Sequence, residues 1–501
     1  MTTLVAVDLG AQSGRVAMSA FDGERLSIRR VHSFANVPVR VHETLHWDVL
    51  RLYDGVLEGL RAAAREASGR VDSVGIDTWG VDFALLDSRG RLVQNPVHHR
   101  DARSGRGMEF VLARVAGREL YERTGIQLMP INTIFQLGAM VAEDDPALER
   151  AETLVLLPDL LSYWLSGAVA SEFTNATTTA CFDPRSHGWA ADLLARLGIP
   201  TRLFLEIVPP GTVLGRLRDD VAEATRLGAS AVVASATHDT ASAVAAVPFR
   251  RPDSAYISAG TWSLVGVETA APLIDDRTFA ANLTNEGGVR ETFRLLRNVT
   301  GLWLLHECRR SWALDGLEWS FDELVAMAEQ APPVAIVIDP NDPSFAAPDD
   351  MPKRIRDYCA RTGQTRPETP GEVVRCALEG IALGHRRAIS QLGTVLGSEP
   401  PEIHVVGGGA RNRLLCQWTA DATGLPVLAG PADATEIGNL LVQALALGEL
   451  ASVGEAREIV RASFAPTLYE PSNRDRWDEA YARFGEVTTE NGRAPEEALT
   501  R

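Results

Sequence analysis

The sequence has few cysteines, no long apolar run and a shortage of positive charge. No uncharged apolar stretch approaches the roughly 18 residues of a membrane-spanning helix, and no basic segment followed by an apolar one opens the chain. We therefore expect neither a spanning helix nor a secretory signal. The five cysteines include no CxxC pair. They argue against a disulfide framework or a cysteine zinc site, and they are typical of a protein of the reducing cytoplasm.

Positive charge is outnumbered, with 49 Lys and Arg against 66 Asp and Glu and a net charge of −17. A surface this acidic disfavours nucleic acid and anionic membranes as partners, although it leaves room for a locally neutralised phosphate ligand. The 501 residues, 45% hydrophobic and 23% charged, are ordinary for a folded chain and predict two large domains or three smaller ones. This length and composition are compatible with both a monomer and a homodimer.

Two common nucleotide-binding signatures are missing, the GxxxxGK[ST] P-loop and GxGxxG. The zinc-peptidase pattern HExxH does occur, at His42-Glu43-Thr44-Leu45-His46, but the preceding VPVRV alternates as a strand does. On a strand the two imidazoles would lie about 13 Å apart, too far to share a zinc ion. We therefore expect an extended segment here rather than a zinc site.

Strand and helix patterns alternate through both halves of the chain. Helical spacing predicts helices over 47–69 and 372–396, and the apolar run AIVI (335–338) predicts a strand. Each half opens with strand, glycine turn and strand. Placing residues 5–17 over residues 255–267 aligns Gly10 with Gly260 and Ser13 with Ser263, at an offset of 250. These features predict an α/β protein of two duplicated domains with a cleft between the copies.

The first glycine turn, within Asp8-Leu9-Gly10-Ala11-Gln12-Ser13-Gly14-Arg15, suits a phosphate. Its glycines let backbone N–H groups approach an anion, and Ser13 and Arg15 can add side-chain donors. Asp8 is itself anionic, so it would act through Mg²⁺ and its waters. An ordinary hairpin with a capping aspartate fits the motif equally well.

Thr237-His238-Asp239-Thr240 stands where a strand runs into a helix. An acid there lies at a cleft edge, where it could accept the proton of a substrate hydroxyl that attacks phosphorus. Capping of the helix by Asp239 or Thr240 is the common alternative. Two more glycine turns, around Thr261 and Gly408, permit close approach of a nucleotide or are merely flexible connections.

Nine segments, in order over most of the chain, together resemble the FGGY carbohydrate kinases of the actin/hexokinase/Hsp70 ATPase superfamily. They are VAVDLGAQSGR (5–15), GIDTWGVDFALLD (75–87), TNATTT (174–179), HDTASAV (238–244), SAGTWSLVG (258–266), NEGG (285–288), GLWLL (301–305), DPNDP (339–343) and VVGGGARN (405–412). The resemblance implies two ribonuclease-H-like, actin-like domains with mixed sheets flanked by helices and the active site in the cleft. Residues 1–246 would bind sugar and phosphate, 247–455 would bind ATP, and 456–501 would form a helical extension.

The resemblance also implies roles residue by residue. Asp239 matches the catalytic base that deprotonates the C1 hydroxyl of a ketose. The positions that match sugar contacts are Gly80, His238, Asp239, Thr240 and Asn298. The positions that match ATP contacts are Ala11, Gln12, Ser13, Gly14, Arg15, Thr261 and Gly408. Asp8 is a candidate for Mg²⁺ on charge grounds, and His306 stands where the family has a glutamine near the nucleotide.

The implied reaction is phosphorylation of the ketose C1 hydroxyl by ATP with Mg²⁺, and the likeness is nearest to the members that act on L-rhamnulose. Another ketose, such as L-fuculose or xylulose, is the nearer alternative. A non-catalytic, ATP-gated protein of the actin or Hsp70 type is the alternative from another class.

Overall fold

The computed structural model describes residues 2–333, 336–346 and 348–491. The strands, in chain order, are β1 (Thr2–Leu9), β2 (Ser13–Phe21), β3 (Arg29–Ala35), β4 (Val39–Val41), β5 (Thr44–His46), β6 (Ser73–Thr78), β7 (Phe83–Leu86), β8 (Thr153–Leu156), β9 (Ser171–Glu172), β10 (Phe182–Asp183), β11 (Gly188–Trp189), β12 (Ile207–Val208), β13 (Thr212–Arg216), β14 (Ala231–Ala234), β15 (Ala255–Ala259), β16 (Trp262–Thr269), β17 (Thr284–Gly287), β18 (Phe293–Thr300), β19 (Ile403–Val406), β20 (Val427–Ala429) and β21 (Thr467–Tyr469).

The α-helices, in chain order, are α1 (Val49–Glu66), α2 (Arg103–Leu112), α3 (Gly117–Thr124), α4 (Thr133–Ala142), α5 (Pro146–Arg150), α6 (Leu157–Ser166), α7 (Phe173–Ala176), α8 (Ala191–Arg196), α9 (Asp219–Thr225), α10 (Asp239–Ala245), α11 (Asp276–Ala280), α12 (Trp303–Leu314), α13 (Phe321–Gln330), α14 (Met351–Arg361), α15 (Pro370–Leu396), α16 (Arg413–Thr423), α17 (Ala434–Ala446), α18 (Val453–Ser463) and α19 (Arg474–Asn491). Within the part of the chain that the structure describes, no helix combines the length and the apolar character that crossing a membrane requires.

The chain divides into two compact units that are interleaved along the sequence. Unit 1 consists of Met1–Pro248, Glu268–Leu295 and Ala434–Phe464. Unit 2 consists of Phe249–Val267, Leu296–Asp433 and Ala465–Arg501. Helix α17, late in the sequence, thus belongs to unit 1, where it packs against β1, β6 and α10.

A six-stranded mixed sheet forms the centre of unit 1, in the order β13-β14-β6-β1-β2-β3. β1 is antiparallel to β2 and parallel to β6, which is in turn parallel to β14. Residues Leu4–Leu9, which are apolar except for Asp8, are all buried because helices pack against this sheet. Because β1, β6 and β14 are parallel, their carboxyl ends lie at the same end of the sheet, where three separate chain segments meet.

A second, seven-stranded sheet has the order β17-β18-β16-β15-β19-β20-β21. Its strand β15 is antiparallel to β16 and parallel to β19, which repeats the relation of β1 to β2 and β6. The predicted α/β class, with a repeated strand–turn–strand opening, is confirmed. A core of helical side chains, including Leu304, Tyr358, Leu378 and Trp477, fills unit 2.

The strongest periodic patterns produced the expected elements, and one apolar run did not. The helix expected over 372–396 is α15, which begins with a capping box between Thr369 and Glu372. Ile336–Ile338 of the run AIVI form no strand, and Ala335 lies outside the described residues. The side-chain amide of Gln364 donates to Val337 O and accepts from Val337 N, both at 2.8 Å. A side chain thus satisfies the backbone that a neighbouring strand would have paired.

The HExxH segment is extended, as expected. β4 and β5 form a hairpin in which Val41 pairs with Thr44, and His42 and Glu43 make its turn. The Nδ1 atom of His46 lies 3.3 Å from Asn95 O.

Candidate active site

The first glycine turn joins β1 to β2 in unit 1. Gly10 N donates to Ser13 O at 2.9 Å, and Asn36 holds the turn by donating from its backbone to Gln12 O and from its side chain to Gly10 O. Ala11, Gln12 and Ser13 are half-buried, so their turn is open to a ligand. A Cβ on Gly14 would lie 2.3 Å from the ring of Phe34, which explains the glycine there.

Three buried carboxylates, Asp8, Asp77 and Glu436, lie beside this turn. Asp8 on β1 stands opposite Asp77 on β6 in the sheet register. Arg15 donates to Asp8 Oδ2 at 3.3 Å, and Arg30 donates to Glu436 Oε1 at 3.2 Å. Burial and the charge of Glu436 raise the pKa of Asp8 well above its usual range, against the opposing effect of Arg15. Burial and the charge of Asp8 likewise raise the pKa of Asp77. Two arginines against three carboxylates leave a place that favours a cation.

Asp239 is the first residue of α10, which follows β14 after a short loop. Its side chain is 31% exposed. Burial raises the pKa of Asp239 to about 6, although hydrogen bonds from Thr240 and the charge of Arg294 lower it. Its charge also raises the pKa of Asp8. The sheet register pairs Asp8 with Asp77 and Thr78 with His238, so the chain segments that carry these acids are adjacent in unit 1. Oδ1 of Asp239 accepts from Thr240 N at 2.6 Å, so the side chain also serves the start of the helix.

His238 is buried and fixed by charged neighbours. Nη2 of Arg294 lies 3.0 Å from His238 Nδ1, and Glu286 Oε2 lies 3.2 Å from the same guanidinium nitrogen. Nδ1 also lies 3.4 Å from Glu286 Oε2, and Nε2 lies 3.3 Å from Asp239 Oδ1. Because arginine can only donate, the contact with Arg294 assigns Nδ1 as the acceptor and the ring proton to Nε2. Burial lowers the pKa of His238 well below its usual range, with Arg294 adding to the effect. The imidazole is therefore neutral and presents an N–H to Asp239.

Gly80 lies just after β6, in a loop next to Asp239. Thr78 N donates to Thr237 O at 2.9 Å, so the two segments run side by side. A Cβ on Gly80 would lie 2.8 Å from the Thr178 hydroxyl, which explains the glycine. Val81 follows with a φ of 69°, a strained value for a β-branched residue. Thr178 accepts from Val81 N at 3.1 Å and holds this turn.

The remaining predicted residues belong to unit 2. Thr261 lies in the turn between β15 and β16, where its carbonyl accepts from Gly301 N and Trp303 N, each at 3.1 Å. Gly408 begins a short 3₁₀ helix after β19, and a Cβ there would meet nothing within 4 Å. Its neighbour Gly409 packs on Ala259, next to the Thr261 turn.

Asn298 and His306 complete the predicted set in unit 2. Asn298 is half-buried on β18, on the strand that leads towards the GLWLL segment. His306 lies on α12 with its ring edge-on to Phe321 at 4.8 Å, and burial lowers its pKa to about 4. The structure thus places a neutral imidazole against an aromatic ring at this position.

Several functional candidates were not predicted. Asp77 and Glu286 lie inside the recognised segments GIDTWGVDF and NEGG, so a count of buried acids there could have found them. Arg294 and Glu436 have no local signal, because their partners come from distant parts of the chain.

Two solved structures of sugar kinases share the fold of this chain. A xylulose kinase from Lactobacillus acidophilus superposes with a TM-score of 0.82 at 16% identity, over 99% of this chain and all of that one. A gluconate kinase from the same organism superposes with a TM-score of 0.81 at 16% identity, over 99% of each chain. The fold is that of a two-domain sugar kinase.

Sequence comparison then identifies the family. Residues 3–246 match the N-terminal domain and residues 255–447 the C-terminal domain of the FGGY family of carbohydrate kinases. A rhamnulokinase of Bacteroides thetaiotaomicron is 42% identical over 96% of this chain and 98% of its own. A rhamnulokinase of Oceanobacillus iheyensis is 38% identical over 92% of this chain and 96% of its own. The chain belongs to the FGGY family of carbohydrate kinases, and it is a sugar kinase.

Proposed function

We propose that this chain transfers the γ-phosphoryl group of ATP to the C1 hydroxyl of L-rhamnulose, which yields ADP and L-rhamnulose 1-phosphate. The similarity to rhamnulokinases over nearly the whole chain supports the choice of sugar. The observation that carries the chemistry is Asp239, a half-exposed carboxylate with a pKa of about 6 near the glycine turn of unit 1.

Asp239 acts as the general base in this proposal. With a pKa of about 6 it is ionised at neutral pH, yet it remains basic enough to accept the hydroxyl proton as the oxygen attacks phosphorus. His238 Nε2 lies 3.3 Å from this carboxylate. Gly80, Thr240 and Asn298 would contact the sugar.

The glycine turn provides the phosphate site. Residues 11–15 would bind the phosphates of ATP, with Thr261 and Gly408 as further nucleotide contacts. The backbone N–H groups of such a turn neutralise phosphate charge without having to reorganise during the reaction.

Mg²⁺ fits the residues of unit 1, as expected for a kinase that uses ATP with a divalent metal. Asp77 Oδ1 and Glu436 Oε2 are buried without a hydrogen-bond partner, so two carboxyl oxygens in this region lack a protein donor. Among the described residues no three His, Cys, Asp or Glu side chains are placed to hold an ion by themselves. Proteins hold Mg²⁺ with one or two carboxylates together with waters and phosphates, and Asp8 would fill that role through water. The bound ion would offset phosphate charge.

The activity should fall on the acid side with the titration of Asp239. A protonated Asp239 cannot accept a proton, so kcat/KM is expected to hold above about pH 7 and to fall about tenfold for each pH unit below 6. Initial rates between pH 4.5 and 8 would measure this, and residual activity of Asp239→Asn should lack the same acid limb. A kcat/KM that stays nearly constant down to pH 4.5, as the pKa of about 4 of an ordinary aspartate would give, would contradict the role.

A coupled assay of ADP release across a small set of ketoses tests the proposed substrate. We expect kcat/KM for L-rhamnulose to exceed that for L-fuculose and xylulose by at least about tenfold, the scale of discrimination for small differences between substrates. The product should carry its phosphate on C1 by NMR. A higher kcat/KM for another ketose would overturn the choice of sugar. ATP turnover that ignores added sugar would favour an ATP-gated protein.

A further inference from the structure

The segment 171–179, which contains TNATTT, has no role in the proposed chemistry. All of its residues except Phe173 are nevertheless buried. Its key side chain is Glu172, at the end of β9, which is fully buried. The carboxylate accepts from Thr174 N at 2.9 Å, from the Thr174 hydroxyl at 2.5 Å and from Asn175 N at 3.3 Å. It also accepts from Thr237 N at 3.1 Å and from the Thr237 hydroxyl at 2.7 Å. Burial raises the pKa of Glu172, and the hydrogen bonds from Thr174 and Thr237 oppose that rise. A buried carboxylate with this many donors holds them strongly.

The contact with Thr237 bears on the active site because Thr237 stands two residues before Asp239. Two more bonds fix the same stretch of backbone. Asn175 Nδ2 donates to Thr237 O at 3.3 Å, and His238 N donates to the Thr174 hydroxyl at 3.1 Å. The backbone N–H and C=O of Thr237 and the N–H of His238 are thus all held by 172–175.

Helix α10 needs such an anchor at its start. It has seven residues, too few for helix propensity alone to define its first turn. His238, the residue before the helix, makes no side-chain capping bond. The place of the Asp239 carboxylate therefore depends on what holds the loop that precedes it, together with the packing of α10 against α17.

The same segment reaches the other loops that surround Asp239. The Thr178 hydroxyl accepts from Val81 N at 3.1 Å, next to Gly80. The Thr177 hydroxyl accepts from Gly287 N at 2.7 Å, and Gly287 O accepts from Arg294 at 2.9 Å. One buried segment thus sets the relative positions of the Gly80 loop, the Thr237 loop and the Arg294 cluster.

We propose that Glu172 is a positioning residue for the reaction: it holds Thr237, and through Thr237 it places the carboxylate of Asp239. This inference rests on the proposed role of Asp239 as the base. Glu172 itself touches neither substrate nor nucleotide in this proposal.

The test compares Glu172→Gln, Thr237→Val and the double variant in the full-length protein. Because small displacements of a catalytic group are costly, we expect Glu172→Gln to lower kcat roughly 10- to 100-fold while KM for ATP changes by less than about twofold. Thr237→Val removes one hydroxyl and keeps the carboxylate, so it should lower kcat by at least about threefold. The two losses should combine to less than their product, because both variants break the same contact.

Asp421→Asn is the matched control. Asp421 is a buried carboxylate of unit 2 that accepts from both the backbone N–H and the hydroxyl of Ser472, at 2.8 and 3.0 Å. This repeats the pair of bonds that Glu172 makes with Thr237, at a place with no proposed role. We expect Asp421→Asn to lower the thermal stability and to leave kcat within about twofold of the wild type.

The remaining outcomes decide against the positioning role of Glu172 or against the role of Asp239. A folded Glu172→Gln protein with unchanged kcat, or with kcat and KM for ATP impaired to the same degree, overturns the inference. If Glu172→Gln does not fold, Thr237→Val decides, and unchanged kcat in that variant overturns it equally. Loss of kcat in Asp239→Asn with normal Glu172→Gln refutes this inference alone, whereas normal turnover in Asp239→Asn refutes the role of Asp239 as the base, on which the inference rests.

Discussion

Replacing Asp239 by asparagine is expected to lower kcat at least about 100-fold, the usual scale for loss of a general base. The amide keeps the shape of the side chain and can still accept from Thr240 N, so the helix start should survive. It cannot take up the proton of the sugar hydroxyl. Affinities for ketose and ATP, measured by calorimetry, should therefore stay close to those of the wild type while turnover in the coupled assay is lost.

Asp219→Asn provides the control for this variant. Asp219 is also the first residue of a helix, α9, but it is exposed and has no proposed role. If Asp239 served only the helix dipole and the helix start, both variants would behave alike. Turnover of Asp239→Asn within a few-fold of the wild type would refute its role as the base.

Replacing Arg294 by methionine is expected to lower the free energy of unfolding of the protein by about 3–5 kcal/mol, the typical cost of breaking a buried ion pair from one side. Arg294 is fully buried, and Glu286 Oε2, 3.2 Å away, would lose its counter-charge. His238 Nδ1 would lose its donor at the same time. Chemical denaturation followed by tryptophan fluorescence would measure the loss.

The double variant Arg294→Met/Glu286→Gln separates the charge from the packing. With the acid neutralised no unpaired charge remains, so much of the lost stability should return. Arg277→Met is the surface control, because Arg277 pairs with Asp275 at 2.8 Å in an exposed position, where an ion pair contributes little. A double variant no more stable than Arg294→Met would show that Glu286 does not depend on Arg294.

The parts of the fold that were predictable depend on neighbouring residues. The glycine turn of 10–14, the helix α15 with its capping box and the acid at the start of α10 each follow from a short pattern. Their geometry is dictated by backbone sterics and local hydrogen bonds, which a few consecutive residues define. The predicted strand at 335–338 is wrong over the described residues 336–338, where the distant side chain of Gln364 satisfies the backbone of Val337.

The sequence by itself determined the α/β class, the repeated strand–turn–strand openings and the acid at 239, because turn chemistry and apolar periodicity are local properties. Only the tertiary structure decided which side chains meet. It places Glu436 near Asp8, Arg294 in contact with His238, and Glu172 where it accepts from the Thr237 hydroxyl. These partners lie far apart in the chain, and the packing of strands and helices brings them together. Burial then raises the pKa values of Asp8 and Glu172 and lowers that of His238, and no single stretch of sequence contains this property.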